Sequence, residues 1–290
     1  MTRMRNPYPG PQSTASTASA AAPGAVRSWR PSALIGGAAA VHLGAVAAVL
    51  AQPATLPWAA GTVVAANLLL AGAGLWPRST LLGPNLLRLP PSAGHSIALT
   101  FDDGPNPEVT PAVLDLLDAH GARATFFCIG ERALRHPDLV ADIVRRGHAI
   151  ENHTQHHWLH FSTFGPGRIT REVGDAQRLL TELTGQVPRF FRAPAGLRNP
   201  LLEPALCRHG LRLASWTRRG FDTFRGGDPD KVEARLLKDL AARDILLMHD
   251  GNPGTDRAGT PMILVVLPRV LRAIDRAGLR YVTLREAVPA

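Results

Sequence analysis

Two patterns of apolar residues divide the chain. Ala33–Ala51, "ALIGGAAAVHLGAVAAVLA", and Trp58–Trp76, "WAAGTVVAANLLLAGAGLW", are uncharged runs of 19 residues each, with apolar side chains all round instead of along one stripe. That length suits the hydrocarbon core of a bilayer, and the tryptophans bracketing the second run suit its two interfaces. The uncharged connection "QPATLP" makes the pair read as a transmembrane hairpin over 33–76. His42 and Asn67 interrupt the spans, so the competing reading is a pair of alanine-rich helices buried in a soluble domain. A signal peptide ending at "VLA" before Gln52 is a second rival, although the n-region would be long. Ahead of the hairpin, residues 1–32 are rich in Ser, Ala, Pro and Arg without periodicity and read as a disordered tail.

After a linker at 77–91, the pattern changes to short apolar runs alternating with amphipathic ones. The apolar runs are "SIALTF", "ATFFCI", "HAIEN", "RFFR", "LRLASW", "DILLMHD" and "LRYVTL". Between them lie "PAVLDLLDAHG", "PDLVADIVRRG", "ITREVGDAQRLLTELTG", "LLEPALCRHG", "DKVEARLLKDLA" and "LPRVLRAIDRAG", several closing on the glycine that stops a helix. Seven strands alternating with six helices over 92–290 predict an α/β domain with a parallel sheet and crossover helices. A closed barrel and an open doubly wound sheet both fit. In either, functional groups collect at the carboxyl ends of the strands.

Composition changes this picture little. The 290 residues are 45% hydrophobic, which excludes global disorder. The formal charge of +9 comes almost wholly from scattered arginines, with no basic cluster and no interleaved aromatics. Nucleic acid is therefore not an expected partner, and an anionic membrane surface is the better use of the charge. Arg3, Arg5, Arg27 and Arg30 precede the first run and Arg78 and Arg88 follow the second, while the connection carries none. Positive-inside counting thus puts both ends and the following domain on the cytoplasmic side, the alternative being the outer side of the membrane. Two cysteines, Cys128 and Cys207, give neither a disulfide framework nor a zinc knuckle.

The unusual polar residues fall where the alternation says they should. Asp102 and Asp103 follow the first strand, His153, His156 and His157 the third, and Arg192 the fourth. Trp216 and Asp222 follow the fifth strand, His249 and Asp250 the sixth. In "HTQHH" the spacing of four would put His153 and His157 on one side of a helical turn; His156 and His160 could share that face. Two imidazoles and a carboxylate form a facial set for a divalent cation with positions left open. A cation beside one aspartate of "TFDDGP" would relieve the repulsion between the two, leaving one to bind metal and its neighbour to take a proton. Arg192 is the cation available to keep that neighbour ionised. Solvated loop histidines and an Asx turn are the plain alternatives, but a turn explains one aspartate and not both.

"TFDDGP", "HTQHH", "RAPAG" at 192–196, "SWTRRGFD" at 215–222 and "LMH" at 247–249 resemble, in order, the five motifs of the NodB-type polysaccharide deacetylases, carbohydrate esterase family 4. The resemblance covers about 96–284. It implies a distorted (β/α) barrel with fewer than eight repeats. It implies Asp102 as general base and Asp103, His153 and His157 as ligands of one divalent ion, zinc first, with cobalt, iron, manganese or nickel compatible. It leaves His156 a bystander. Arg192 would orient Asp102, His249 would protonate the leaving amine, and Asp222 would tune His249. The backbone N–H of Ala195 would meet the oxyanion, and Trp216 would line the substrate site. The implied reaction is attack of metal-activated water on an N-acyl group, most simply N-acetyl, of an amino sugar in a glycan or a lipid-linked saccharide. Ala195, Arg219 and Thr223 depart from the residues common in those motifs, and Arg198, Arg218 and Arg219 cluster after strand ends, where they could meet a substrate phosphate. A non-catalytic, membrane-anchored carbohydrate-binding protein on the same fold is the competing class; the full set of base, ligands, orienting arginine and acid argues against it.

Overall fold

The structure, a computed structural model, describes residues 27–289; most of the expected tail, Arg3 and Arg5 included, lies outside them. Helix α1 spans Ala33–Ala51, capped by Ser32, whose Oγ accepts from the Ile35 N–H. Helix α2 spans Leu56–Leu75 and starts two residues before the expected run, because Pro57 fits a first helical turn at no cost. They pack as a hairpin through small residues, Ala38 from α1 and Ala59, Ala66 and Ala73 from α2, and leave nearly everything else exposed. Helices so exposed are not the core of a soluble domain, and both have the length and composition of candidate membrane spans. The two polar interruptions answer one another. His42 Nδ1 donates to the Ala38 carbonyl at 2.7 Å, which leaves Nε2 to accept from Asn67 Nδ2 at 3.1 Å.

The rest of the chain runs β1 (Ser96–Asp102), α3 (Thr110–Ala119), β2 (Ala124–Cys128), α4 (Gly130–Arg135), α5 (Pro137–Arg145), β3 (Ala149–Asn152), α6 (Pro166–Thr184), β4 (Phe190–Phe191) and α7 (Leu202–Arg208). It continues through β5 (Arg212–Leu213), β6 (Arg218–Arg219), α8 (Pro229–Leu237), β7 (Ile245–His249), α9 (Met262–Arg276), β8 (Arg280–Tyr281) and α10 (Leu284–Ala287). Among the described residues every strand pairing is parallel, in the order β5-β4-β3-β2-β1-β7-β6, with β8 joining β1 near its start. This is the distorted, incompletely closed barrel the resemblance implied. The two-residue β6 and the six-residue α4 carry no periodic signal of their own and were not among the expected elements. Helix α9 begins five residues earlier than its amphipathic run, so that Pro268, at the start of that run, lies in its interior.

β1 shows why these strands read as unbroken apolar runs. Ile97, Leu99 and Phe101 face the outer helices α3 and α9, while Ala98 faces the barrel interior with Phe127, Phe190, Trp216 and Leu247. The segment before β1 seals the open seam. The Leu86 N–H donates to the Leu213 carbonyl and the Leu86 carbonyl accepts from Ser215, both at 2.9 Å. Leu82 and Leu89 are buried. The barrel floor is held by Glu151, fully buried, which accepts from the Arg189 and Phe190 N–H groups and from Arg285 Nε.

Candidate active site

The parallel register sets Asp102, the last residue of β1, beside His249, the last of β7. Successive side chains of a strand point to opposite faces. Asp103 escapes that rule because its φ of 71° turns the chain, so both carboxylates reach one cavity. Gly104 follows, lying so close to the buried Asp250 carboxylate that any side chain there would collide with it. Asp250 is itself fixed by the Thr110 hydroxyl at 2.5 Å.

A cavity of about 280 Å³ at the strand ends is lined by Asp102, Asp103, His153, His157, Ala195, Trp216 and His249, with Arg219 and Asn252 on its wall. Arg192 and Asp222 sit behind it, so the structure brings together the nine residues to which the resemblance gives a site role. The motif at 153–157 does not form the helical turn expected from its spacing. Thr154 and His157 adopt positive φ, and this looped path sets the two rings 4.8 Å apart. His156 points out to α6, where Glu172 accepts from its Nδ1 at 2.9 Å and from its backbone N–H at 3.0 Å.

Asp103 Oδ1 lies 3.2 Å from His153 Nε2 and 3.1 Å from His157 Nε2. His153 Nδ1 donates to the Arg192 carbonyl at 2.8 Å, so its Nε2 presents a lone pair to the carboxylate unless it carries a second proton. Burial works against a charge on His153, but the Asp102 and Asp103 carboxylates raise its imidazole above the ordinary value; burial, then that charge, pushes His157 down to about 4 and leaves the second ring neutral. Burial alone would raise the Asp103 carboxyl, but the His153 hydrogen bond and the neighbouring imidazoles hold it well below the ordinary carboxylate range. Two imidazoles and one carboxylate facing inward, their ligand atoms within 4.8 Å of one another, fit a divalent cation, which would take the place of the proton that His153 shares with the carboxylate. Asn252 Nδ2 donates to Asp103 Oδ2 at 3.2 Å, and Arg132 holds the Asp103 and Gly251 carbonyls at 2.9 and 2.7 Å. Neither Arg132 nor Asn252 stands in a motif that would have marked it, and both matter only through contacts distant in sequence.

Arg192 is buried across the barrel top. Its Nη1 donates to Asp102 Oδ1 at 2.7 Å and to the Thr100 hydroxyl at 2.8 Å. Nε and Nη2 bind the Ala214 and Ser215 carbonyls, and the guanidinium lies 4.1 Å over the Phe127 ring. One oxygen of Asp102 is thus occupied and the other left toward the cavity. At the neighbouring strand end, Asp222 grips His249 twice, Oδ1 on the ring Nδ1 at 2.9 Å and Oδ2 on the backbone N–H at 2.8 Å. Burial works against a charge on His249, but the Asp222 carboxylate outweighs it, and with Asp102 and Asp103 lifts the imidazole to about 9. A paired carboxylate and a protonated imidazole therefore line the same cavity from neighbouring strands, the pairing that acid–base chemistry requires. Ala195, at φ 53°, lies on the wall beside Gly196.

Of the three clustered arginines only Arg219 reaches the cavity. Arg198 is buried, donating its backbone N–H to the Gly74 carbonyl and Nη2 to that of Ser79. Arg218 pairs with Asp244 at 3.2 Å.

The polysaccharide deacetylase family model matches residues 90–214. A peptidoglycan-N-acetylglucosamine deacetylase of Bacillus cereus is 35% identical over 198 residues, covering 68% of this chain and 89% of the relative. A chitooligosaccharide deacetylase of Bradyrhizobium is 34% identical over 194 residues, covering 64% and 88%. A crystal structure of a peptidoglycan N-acetylglucosamine deacetylase superposes with a TM-score of 0.63 at 27% identity, covering 70% of this chain and 92% of that one.

Proposed function

Since the chain belongs to the polysaccharide deacetylase family and is an N-deacetylase-type hydrolase, we propose that it removes the acetyl group from N-acetylglucosamine units of a glycan. Asp102 is the general base, His249 the general acid, and Asp103, His153 and His157 hold one divalent ion. The observation that carries this reading is the pair on neighbouring strands, Asp102 tied to Arg192 and His249 tied to Asp222. The relatives' names carry the glycan class.

A divalent cation, zinc first, supplies Lewis acidity to the acyl carbonyl and lowers the pKa of water. The free oxygen of Asp102 takes a proton from the attacking water as its oxygen bonds to the acyl carbon. Arg192 fixes the direction of that carboxylate and remains its countercharge throughout. The oxyanion that forms meets the backbone N–H of Ala195. An amide nitrogen leaves only once protonated, and His249 delivers that proton as the C–N bond breaks, giving acetate and a free amine. Asp222 stabilises the imidazolium before transfer and holds the ring in place afterwards.

α1 and α2 form a transmembrane hairpin in this reading, and the arginine-bearing flanks favour a catalytic domain on the cytoplasmic side. Protease protection of that domain in right-side-out vesicles is the expected result; ready digestion there returns it to the outer face. For the chemistry, the Asp102→Asn variant of the full-length, metal-reconstituted enzyme should lose about 10³-fold or more in acetate release from chitooligosaccharides, with metal still bound one to one. Unchanged turnover would remove Asp102 from the base role.

A further inference from the structure

The hairpin is fixed to the catalytic domain at both ends. Before α1, the Arg27 N–H donates to the Cys207 carbonyl and its Nη2 reaches Glu203 Oε1, each at 3.1 Å, on α7. Ser32 Oγ donates to the Leu81 carbonyl at 2.7 Å. At and beyond the last turn of α2, the Gly74 and Ser79 carbonyls are held by Arg198, and the Pro77 carbonyl accepts from Ser215 Oγ at 2.9 Å. Pro77 fills the notch left by Gly196: a methyl group on that glycine would lie 2.6 Å from Pro77 Cβ and 2.7 Å from Trp216 Cη2. Trp216 lines the cavity. The exposed Trp76 at the end of the candidate span is thus one residue, about 3.8 Å of chain, from the proline that backs the cavity wall.

The surroundings of the mouth agree with that placement. Outside the hairpin, the large apolar side chains that stand exposed include Leu81, Trp158, Leu159, Leu201, Phe221 and Phe224. All six lie at the hairpin base or on loops after strand ends, and Leu159 lines the cavity itself, while the exposed Leu134 stands apart on α4. Exposed aromatic and aliphatic residues on the strand-end side of the barrel suit the headgroup region of a bilayer. Arg219 stands on the cavity wall with its guanidinium 5.5 Å over Trp216 and 4.7 Å over Phe221, and it forms no ion pair among the described residues. An unpaired guanidinium stacked on aromatics beside an apolar rim is a site for a phosphate.

We propose that the catalytic mouth opens at the bilayer interface and takes an N-acylated amino sugar carried on a lipid through a phosphate, which Arg219 meets. The inference rests on the deacetylase reading and adds the physical form of the substrate.

Cys128 and Cys207 are buried, so Phe224→Cys at the rim and Gln186→Cys, in the loop before β4 at the other end of the barrel, can each be labelled selectively with an environment-sensitive fluorophore. Full-length protein would be reconstituted in vesicles of phosphatidylcholine and phosphatidylglycerol. The label at 224 should shift to the blue and be quenched by lipid-borne quenchers, and the label at 186 should not. Equal, water-like emission from both overturns the placement. In the same vesicles, with metal supplied, kcat/KM for acetate release from a polyprenyl-linked N-acetylglucosaminyl phosphate should exceed that from soluble chitooligosaccharide by about tenfold or more. Arg219→Gln should remove most of that advantage by raising KM for the phosphate-bearing substrate, with Arg219→Lys restoring part of it. Faster release from the soluble sugar overturns the lipid-linked substrate and leaves the deacetylase reading standing. Release from neither overturns that reading, while the fluorescence still decides where the mouth lies.

Discussion

Asp103 combines a metal-facing carboxylate with a backbone conformation that few residues adopt. At φ 71° an Asn is accommodated almost as readily as Asp, whereas a β-branched residue is strained. Asp103→Asn should therefore keep the fold, with thermal unfolding close to the parent, and lose about 100-fold or more in metal affinity by titration calorimetry. Asp103→Val should add a stability loss of about 1–3 kcal/mol from the backbone alone. Equal stability of the two variants would mean that the turn is not set at this residue. The same φ explains what "TFDDGP" leaves unreadable: the sequence points to two aspartates with separate tasks, but nothing in it says how neighbours on a strand come to face one way.

At the level of strands and helices, His148, immediately before β3, links packing to pH. It is buried against the edge of the Phe126 ring, and its Nδ1 accepts from the Ala124 N–H at 3.1 Å. Burial pushes it down to about 4, with Asp118 and Asp142 pulling upward and Arg146 and Arg123 downward. Above the ordinary histidine value near 6.5 both folded and unfolded states are neutral, and stability is independent of this group. Between about 6.5 and 4 the unfolded chain takes up a proton that the folded one refuses. Stability should fall across that window by up to about 3 kcal/mol. Denaturant midpoints at pH 7.5 and 5 should converge in His148→Gln relative to the parent; an unchanged difference would mean that His148 titrates freely in the fold. Elements such as β3 were legible because burial on both faces leaves an unbroken apolar run. β6 was not, since two arginines carry no strand signal and pair with β7 only because Thr217 and Ile245 set the register. The spacing of His153 and His157 suggested a helical turn, and the loop that formed instead is latched by Glu172 on α6, a partner that local sequence could not reveal.

For the molecule as a whole, residues 77–91 are less a tether than a piece of the barrel. Leu82 and Leu89 are buried and Leu86 bridges the seam. A chain beginning at residue 77 should fold, whereas one beginning at residue 92 forfeits two buried leucines, at about 2–5 kcal/mol each, and should unfold or aggregate at ordinary temperature. Circular dichroism melts of the two would decide it; a cooperative melt of the shorter chain at the same temperature would show the segment to be dispensable. Composition marked these residues as a linker because an irregular, seam-filling segment of scattered leucines and prolines looks like one, and its partners Leu213, Ser215 and Arg243 lie more than a hundred residues on.

A hairpin pinned at both legs also has no slack. A domain on a loose tether sweeps through many heights and orientations above a bilayer and can meet solutes from any side. One held at Arg27 and again at Arg198 has its opening kept at a single height and tilt relative to the helices that carry it. With the proposed mouth at a bilayer interface, encounters would be two-dimensional: the rate would follow the number of target molecules per unit area at that height, and a target dissolved in the bulk would gain little from being abundant.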